Sequence, residues 1–271
     1  MRIVFFGTPD YVLPIVKVLP NLAAVVTQSP KGVGRKKFIT RSAVDNWAYK
    51  HQVPVVYDLN KVPKFDLGIL AAYGKIIPEL VIRNLKYGIL NIHPSLLPKY
   101  RGASPIQAAI LNGDEETGVT IIKIDKLVDH GPIISQFREE ILPTDTSASL
   151  RARLFERSAQ VLAALIEPYL QGKIKPREQN HKEATYTKIV KKEDGFVDFK
   201  KDNPVDIERK LRAYELWPGI WTLVDGKRLK ILKAHLDISH QSLVIDTVQL
   251  EGKNPVSWEE FRRGYPNARL E

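Results

Sequence analysis

An α/β fold is predicted for this chain of 271 residues: a doubly wound, Rossmann-like sheet in its first part and a small β-rich domain after it. Three observations predict it. Up to Ile124, short apolar runs alternate with stretches whose apolar residues recur at helical spacing. A long amphipathic stretch from Thr146 to Leu170 then closes the first region. Beyond a polar segment the pattern changes to short apolar runs separated by turn residues such as Asp225-Gly226.

Arg2 to Phe6 is rich in β-branched and aromatic residues, the composition of a buried strand. Asp10 to Leu19 is predicted helical, Ala23 to Thr27 a strand, Ser42 to His51 a helix and Asp66 to Ala72 a buried strand. Glu79 to Leu85 follows as a helix, then Gly88 to Ile92 as a strand. Ser104-Pro-Ile-Gln107 has the form of a capping box with Pro at the first helical position, and Asn112-Gly113 stops that helix. Gly118 to Ile124 is the next strand. In the helix from Thr146 to Leu170, the apolar positions Leu150, Leu154, Phe155, Val161, Leu162, Leu165, Ile166 and Tyr169 share one face. Residues 1–172 thus form a first domain, the polar, non-periodic residues 173–183 a linker, and residues 184–271 a second domain. There Phe196 to Phe199, Thr222 to Val224, Arg228 to Ala234 and Ser242 to Leu250 read as strands, with a helix around Pro204 to Tyr214. Trp217, Trp221 and Trp258 are read as packing anchors in preference to base-stacking platforms.

Composition bounds the function. The hydrophobic fraction of 44% and charged fraction of 27% are globular values. Cys is absent, which excludes disulfides, thiolate nucleophiles and Cys-based metal sites. Six scattered His propose no metal site. The opening turn has only Gly7-Thr-Pro where a dinucleotide fingerprint needs three glycines, so no NAD is expected. No run approaches the roughly 18 apolar residues of a membrane span, and the N-terminal apolar run is too short for a secretion signal. A cytoplasmic protein with no membrane, metal or obligate protein partner, working as a monomer, is expected.

The net charge of +10 is concentrated in the first 180 residues, since residues 181–271 carry 17 Lys and Arg against 15 Asp and Glu. Lys31, Arg35, Lys36, Lys37, Arg41 and Lys50 face only Asp45 between residues 31 and 50. A basic stretch on a glycine-containing loop suits a polyanion and salt-dependent binding. A lysine-rich solubilising surface is the plainer explanation.

Chemistry concentrates in Asn91-Ile-His93-Pro-Ser95-Leu-Leu-Pro98-Lys-Tyr-Arg101. Asn91 and His93 stand two residues apart on a strand and so point to one face, just before a Pro-rich loop. Asp129 follows the next strand, in Val128-Asp129-His130-Gly131. Singly, each has an ordinary explanation as a turn former or structural residue. Together an amide, an imidazole and a carboxylate at strand ends can polarise a carbonyl, move a proton and orient the proton carrier.

The constellation Asn91-x-His93, Ser95-Leu-Leu-Pro98, Arg101-Gly102-Ala-Ser-Pro105 and Asp129-x-Gly131 resembles the formyltransferase superfamily that uses 10-formyltetrahydrofolate. The flanks resemble the branch that acts on charged tRNA: Phe6-Gly7-Thr8-Pro9-Asp10, Gly32-Val-Gly34-Arg35-Lys36-Lys37, Ala71-Ala-Tyr73-Gly74, Arg101 to Gln107, Ala184-Thr-Tyr-Thr-Lys188, and Arg212 to Trp221. The resemblance implies Asn91, His93 and Asp129 as catalytic residues and 10-formyltetrahydrofolate as formyl donor. It implies an OB-like β-barrel as the C-terminal domain and initiator methionyl-tRNA as acceptor. Tyr73, Gly74, Lys75, Ile76, Ile77, Asp125, Lys126, Leu127 and Val128 match the folate-binding segments, with core packing the plainer reading of Ile76 and Ile77. Gly7, Thr8, Pro9, Arg35, Lys36, Lys37, Ser95, Arg101 and Gly102 match positions facing the tRNA or its aminoacyl end. Leu127 departs from the family, which generally has Gly there, and the basic loop is shorter. A sugar-nucleotide N-formyltransferase would share the trio but have little use for the basic loop. An idle RNA-binding protein would not need the intact trio, and a 10-formyltetrahydrofolate hydrolase would ordinarily carry a regulatory domain in place of the barrel.

Overall fold

The computed structural model describes residues 1–33, 38–83, 85–237, 239 and 242–270. In chain order its elements are β1 (Ile3–Phe6), α1 (Leu13–Lys17), β2 (Leu22–Val26), β3 (Lys31–Val33), β4 (Phe38–Thr40), α2 (Ala43–Lys50), β5 (Val55–Val56), β6 (Leu67–Leu70) and α3 (Glu79–Arg83). Next come β7 (Ile89–His93), β8 (Arg101–Gly102), α4 (Pro105–Asn112), β9 (Glu116–Lys123), β10 (Ile133–Glu140) and α5 (Ser147–Leu170). The chain continues with β11 (Tyr186–Thr187), α6 (Pro204–Ala213), β12 (Ile220–Val224), β13 (Lys227–Asp237), β14 (Ser242–Leu250), β15 (Val256–Ser257) and α7 (Trp258–Gly264).

Two compact units divide these elements. The first comprises Met1–Arg101, Gly118–Glu139 and Arg151–Tyr186; the second comprises Gly102–Thr117, Glu140–Leu150 and the chain from Thr187 onward. In the first, a seven-stranded sheet has the order β10-β9-β7-β6-β1-β2-β5. β1 runs parallel to both β2 and β6, β6 is parallel to β7 and β2 to β5, whereas β9 is antiparallel to β7. From β1 the chain steps outward to β2 and β5, then crosses to β6 and β7 on the other side. The carboxyl ends of β1 and β6 therefore flank the switch point where open α/β sheets bind ligands. Gly7-Thr-Pro9 leaves β1 there, Ala71 to Gly74 leave β6, and β7 ends beside them at His93.

All four residues of β1 are buried, as expected of a parallel strand covered on both faces. Val4 and Phe6 join Ala24, Val26, Tyr73, Ile77 and Ile89 in one core cluster. Burying side chains of this kind contributes roughly 1.5–3 kcal/mol each. Asn91 and His93 share the β7 face of Ile89, so the polar pair is set directly beyond that apolar floor.

The stretch predicted as one helix from Asp10 divides into a 3-10 turn, Asp10–Val12, and α1. Pro14, in the first turn of α1, has no N–H to continue a ladder from the preceding turn. At α4 the predicted stop holds, with Gly113 at φ 69°, but Ser104 makes no side-chain cap. Its own N–H donates to Thr187 Oγ1 at 3.1 Å, within the second unit. The sequence pattern gave no strand at β10 and no hairpin at β3 and β4.

In the second unit β12, β13, β14 and β15 form a four-stranded antiparallel sheet. Register shifts at Lys233 bend β13 against β14, a device by which small β domains coil. Phe196 to Phe199, predicted as a strand, makes a single isolated bridge among the described residues, Phe196 to Trp221. Trp221 is an anchor: its Nε1–H donates to Lys192 O at 3.2 Å and the Arg228 guanidinium lies 4.2 Å over its ring. Trp217 is not, being 52% exposed. No helix among the described residues is long and apolar enough to cross a membrane.

Ser42 caps α2, accepting the Asp45 N–H at 3.0 Å while its hydroxyl bonds Thr27 Oγ1 at 2.9 Å. Ser42→Ala is expected to lower unfolding stability by about 0.5–2 kcal/mol, read as a drop in the urea midpoint, with Ser42→Asp restoring most of it.

Candidate active site

The carboxyl half of β7 delivers Asn91 and His93 as buried polar side chains. Asn91 Nδ2 donates to Asp129 Oδ1 at 3.1 Å, and His93 Nδ1 lies 3.5 Å from Asp129 Oδ2. The three residues predicted as catalytic are thus brought into one cluster across 38 residues of chain.

The other imidazole nitrogen fixes the tautomer. His93 Nε2 lies 2.9 Å from the Tyr100 main-chain oxygen. A carbonyl can only accept, so Nε2 carries hydrogen and the neutral ring leaves Nδ1 free of a proton on the side of Asp129. Asn91 Nδ2 has two hydrogens, one directed at Asp129 and a second available to an acceptor at the cluster.

Tyr100, at φ 61°, belongs to the Pro-rich loop, and that loop is held by three side chains. Thr120 Oγ1 donates to Ser95 O at 2.6 Å and accepts from Leu97 N–H at 3.0 Å and Gln136 Nε2 at 2.8 Å. Gln136 Nε2 also donates to Leu97 O at 3.0 Å. Thr185 Oγ1 accepts from Tyr100 N–H at 2.8 Å and Thr185 O from Arg101 N–H at 2.8 Å, so the Ala184-Thr-Tyr segment holds the peptides on both sides of Tyr100, whose carbonyl anchors His93.

The remaining predicted residues divide. Ser95 and Arg101 are buried; Ser95 Oγ donates to Lys99 O at 2.6 Å and Arg101 donates to Gln179 Oε1 and His181 Nδ1. Their side chains hold loops within the protein and do not reach the surface. Gly7, Thr8 and Pro9 lie at the end of β1, where Gly7 N–H donates to Val26 O at 3.0 Å and Thr8 Oγ1 meets Thr27 Oγ1 at 3.4 Å. Gly102, at φ 107°, lies against Thr187 O in the second unit. Arg35, Lys36 and Lys37 lie outside the described residues.

Of the segments matched to folate binding, Tyr73 and Ile77 are buried in the core cluster, while Gly74, Lys75 and Ile76 are exposed. Burial raises the Tyr73 phenol pKa above its ordinary value. Leu127 and Val128 are each 62% exposed and Ile76 84%. Lys126 Nζ pairs with Glu79 Oε1 at 3.1 Å, which joins the loop after β9 to the start of α3. Asp125 Oδ1 accepts the Leu127 N–H at 2.9 Å and its Oδ2 meets His130 Nδ1 at 2.7 Å. No cluster of three or more His, Asp or Glu placed to hold a metal occurs among the described residues.

Gln179 and His181 were not anticipated, because they lie in the polar stretch read as a linker. Gln179 Nε2 donates to Asp129 O at 3.0 Å and Gly131 O at 2.8 Å, and the ring of His181 stacks on that of His130 at 3.9 Å. A glutamine and a histidine amid polar residues leave no periodicity by which sequence could mark them.

A sheet of this order, with an amide, an imidazole and a carboxylate gathered at its crevice, defines an α/β enzyme built for group transfer at a carbonyl carbon. Residues 1–166 match the formyl transferase family and residues 189–242 its C-terminal domain, and the chain belongs to that family. It is 37% identical to a methionyl-tRNA formyltransferase of Roseiflexus castenholzii, over 97% of this chain and 96% of that protein. Among solved structures, the methionyl-tRNA formyltransferase from Clostridium thermocellum is similar with a TM-score of 0.62 at 17% identity, covering 92% of this chain and 98% of that one. An N-formyltransferase from Helicobacter canadensis, in complex with folinic acid and dTDP-3-aminofucose, has a TM-score of 0.67 at 20% identity, covering 87% and 88%. Both structural likenesses bear on the fold.

Gly131 has no room for a side chain, since a Cβ would fall 1.9 Å from Lys123 O. Gly131→Ala is expected to destabilise the protein by about 1–3 kcal/mol in urea unfolding and to lower turnover by displacing Asp129.

Proposed function

We propose that this protein transfers the formyl group of 10-formyltetrahydrofolate to the α-amine of initiator methionyl-tRNA. The observation that carries this reading is the convergence of Asn91 Nδ2, His93 Nδ1 and the Asp129 carboxylate. The tRNA acceptor is supported by the curated relative at 37% identity, named for that substrate, whose similarity runs through the second domain.

The folate supplies an activated formyl group whose oxygen gains negative charge when an amine adds to its carbon. Asn91 donates its second amide hydrogen to that oxygen. A preorganised donor of this kind typically contributes 10²- to 10³-fold in rate. His93, with Nε2–H held by Tyr100 O, takes the amine proton at Nδ1 and returns it toward the leaving nitrogen. Asp129 holds Asn91 in place and stabilises the imidazolium. Ile76, Leu127 and Val128 present exposed apolar surface, a fit for a flat heteroaromatic ring. Gly7, Thr8 and Pro9 at the switch point face the aminoacyl end. Arg35, Lys36 and Lys37 neutralise tRNA phosphates.

Purified protein is expected to formylate charged initiator methionyl-tRNA rapidly and to leave free methionine and amino-sugar nucleotides untouched. Turnover on an amino sugar alone would keep the trio and overturn the acceptor. His93→Ala should abolish turnover with tRNA affinity nearly intact. Replacing Arg35, Lys36 and Lys37 by Ala should do the reverse and reduce the slope of log affinity against log salt by about two to three. An unchanged slope removes the basic loop from the tRNA contact.

A further inference from the structure

We infer that Gln179 is a positioning residue for Asp129, holding the carboxylate in register with His93 through its main chain; this rests on the reading of Asp129 given above. Asp129 has φ 50°, a left-handed conformation uncommon outside glycine that Asp and Asn adopt more readily than other residues. Support for it comes from Gln179, which is 5% exposed. Its Nε2 donates to the carbonyls on either side of His130, Asp129 O at 3.0 Å and Gly131 O at 2.8 Å.

The orientation of the Gln179 amide is fixed from behind. Arg101, 2% exposed, directs Nη2 at 2.7 Å and Nε at 3.3 Å to Gln179 Oε1. A guanidinium can only donate, so the amide oxygen must face it and the NH₂ must face the two carbonyls. Arg101 Nη2 also donates to His181 Nδ1 at 2.8 Å, and His181 stacks on His130 with the planes within 2°. His130 Nδ1 meets Asp125 Oδ2 at 2.7 Å. Both ends of the Asp125 to Gly131 loop are thereby tied. Gln179 holds the one point from which the Asp129 side chain departs.

Gln179→Glu separates this role from structural support. The carboxylate keeps its bond to Arg101 but loses both N–H groups and opposes two carbonyl oxygens in their place. The variant should unfold at a lower temperature, since two buried carbonyls lose their donors, and its kcat is therefore read well below the onset of its unfolding. Its kcat for formylation of methionyl-tRNA should fall about 10²-fold, the effect of a misplacement on the order of 1 Å, with KM for folate and tRNA unchanged. Asp129→Asn should itself be severely impaired. Because Gln179 acts through Asp129, adding Gln179→Glu to Asp129→Asn should change kcat by less than about threefold. Should Gln179→Glu fail to fold, Gln179→Asn keeps the amide but falls a methylene short of the carbonyls, and the same cycle is read with it. Parent kcat in the single Gln179 variant, or losses that multiply in the double variant, overturns the positioning role while the trio stands. Parent kcat in Asp129→Asn overturns the trio, and this inference with it.

Discussion

Irregular backbone packed against the carboxyl end of β7 has no continuous ladder to satisfy its amides and carbonyls, so side chains supply many of the partners that scattered main-chain bonds do not. The candidate site depends on that constraint. Thr120 uses one donor and two acceptor positions on Ser95 O, Leu97 N–H and Gln136. Thr185 takes the Tyr100 N–H, and Gln179 takes the carbonyls of Asp129 and Gly131. An unmade bond at such a buried group costs about 1–3 kcal/mol, so these contacts hold the loops in one arrangement and restrict alternatives. Asn91 and His93 are set by the strand itself. The third member of the trio, and the carbonyl that fixes the imidazole tautomer, are set by loops satisfied in this way.

Electrostatics follow from the same arrangement. Both imidazole nitrogens of His93 face oxygen, a carbonyl at Nε2 and a carboxylate at Nδ1. The first contact is that of a donor and holds the ring in place. In the proposed reaction the Nε2 end holds the ring and the Nδ1 end does the chemistry. Asn91 divides similarly, with one amide hydrogen spent on Asp129 and a second remaining on the same nitrogen. In the proposed reaction, holding one residue to another and acting on a substrate fall to different atoms of the same side chains.

Strands β1, β2, β6 and β7 were legible because each is a short apolar run buried on both faces, and α2 because Ser42 caps a helical pattern. The i, i+2 relation of Asn91 and His93 was likewise local. Asp129 could be read as a carboxylate following the next strand, and the resemblance supported grouping it with the other two, but no local pattern says that a carboxylate 38 residues on will meet Asn91. β10 escaped because its exposed half, with Arg138, Glu139 and Glu140, dilutes the apolar signal. Gln179 escaped for the opposite reason. A polar residue among polar residues gives no hint that it will be buried, because its burial is decided by Arg101 and two carbonyls distant in sequence.

Leu127 illustrates how handedness can shift within a loop. Glycine is needed where φ is positive or backbone approaches closely. In the Asp125 to Gly131 loop the left-handed residue is Asp129, and the close approach is that of Gly131 to Lys123. Position 127 carries neither demand; its N–H closes a turn on Asp125 Oδ1, a conformation open to any side chain. Leucine there adds exposed apolar surface beside Val128, on a loop tied by Lys126 to the Glu79 end of the segment that carries Ile76. Water-exposed apolar groups gathered on two linked loops gain by being covered. At roughly 1.5–3 kcal/mol for each such side chain fully buried, a ring laid against them would draw on Leu127 for affinity that a glycine could not provide.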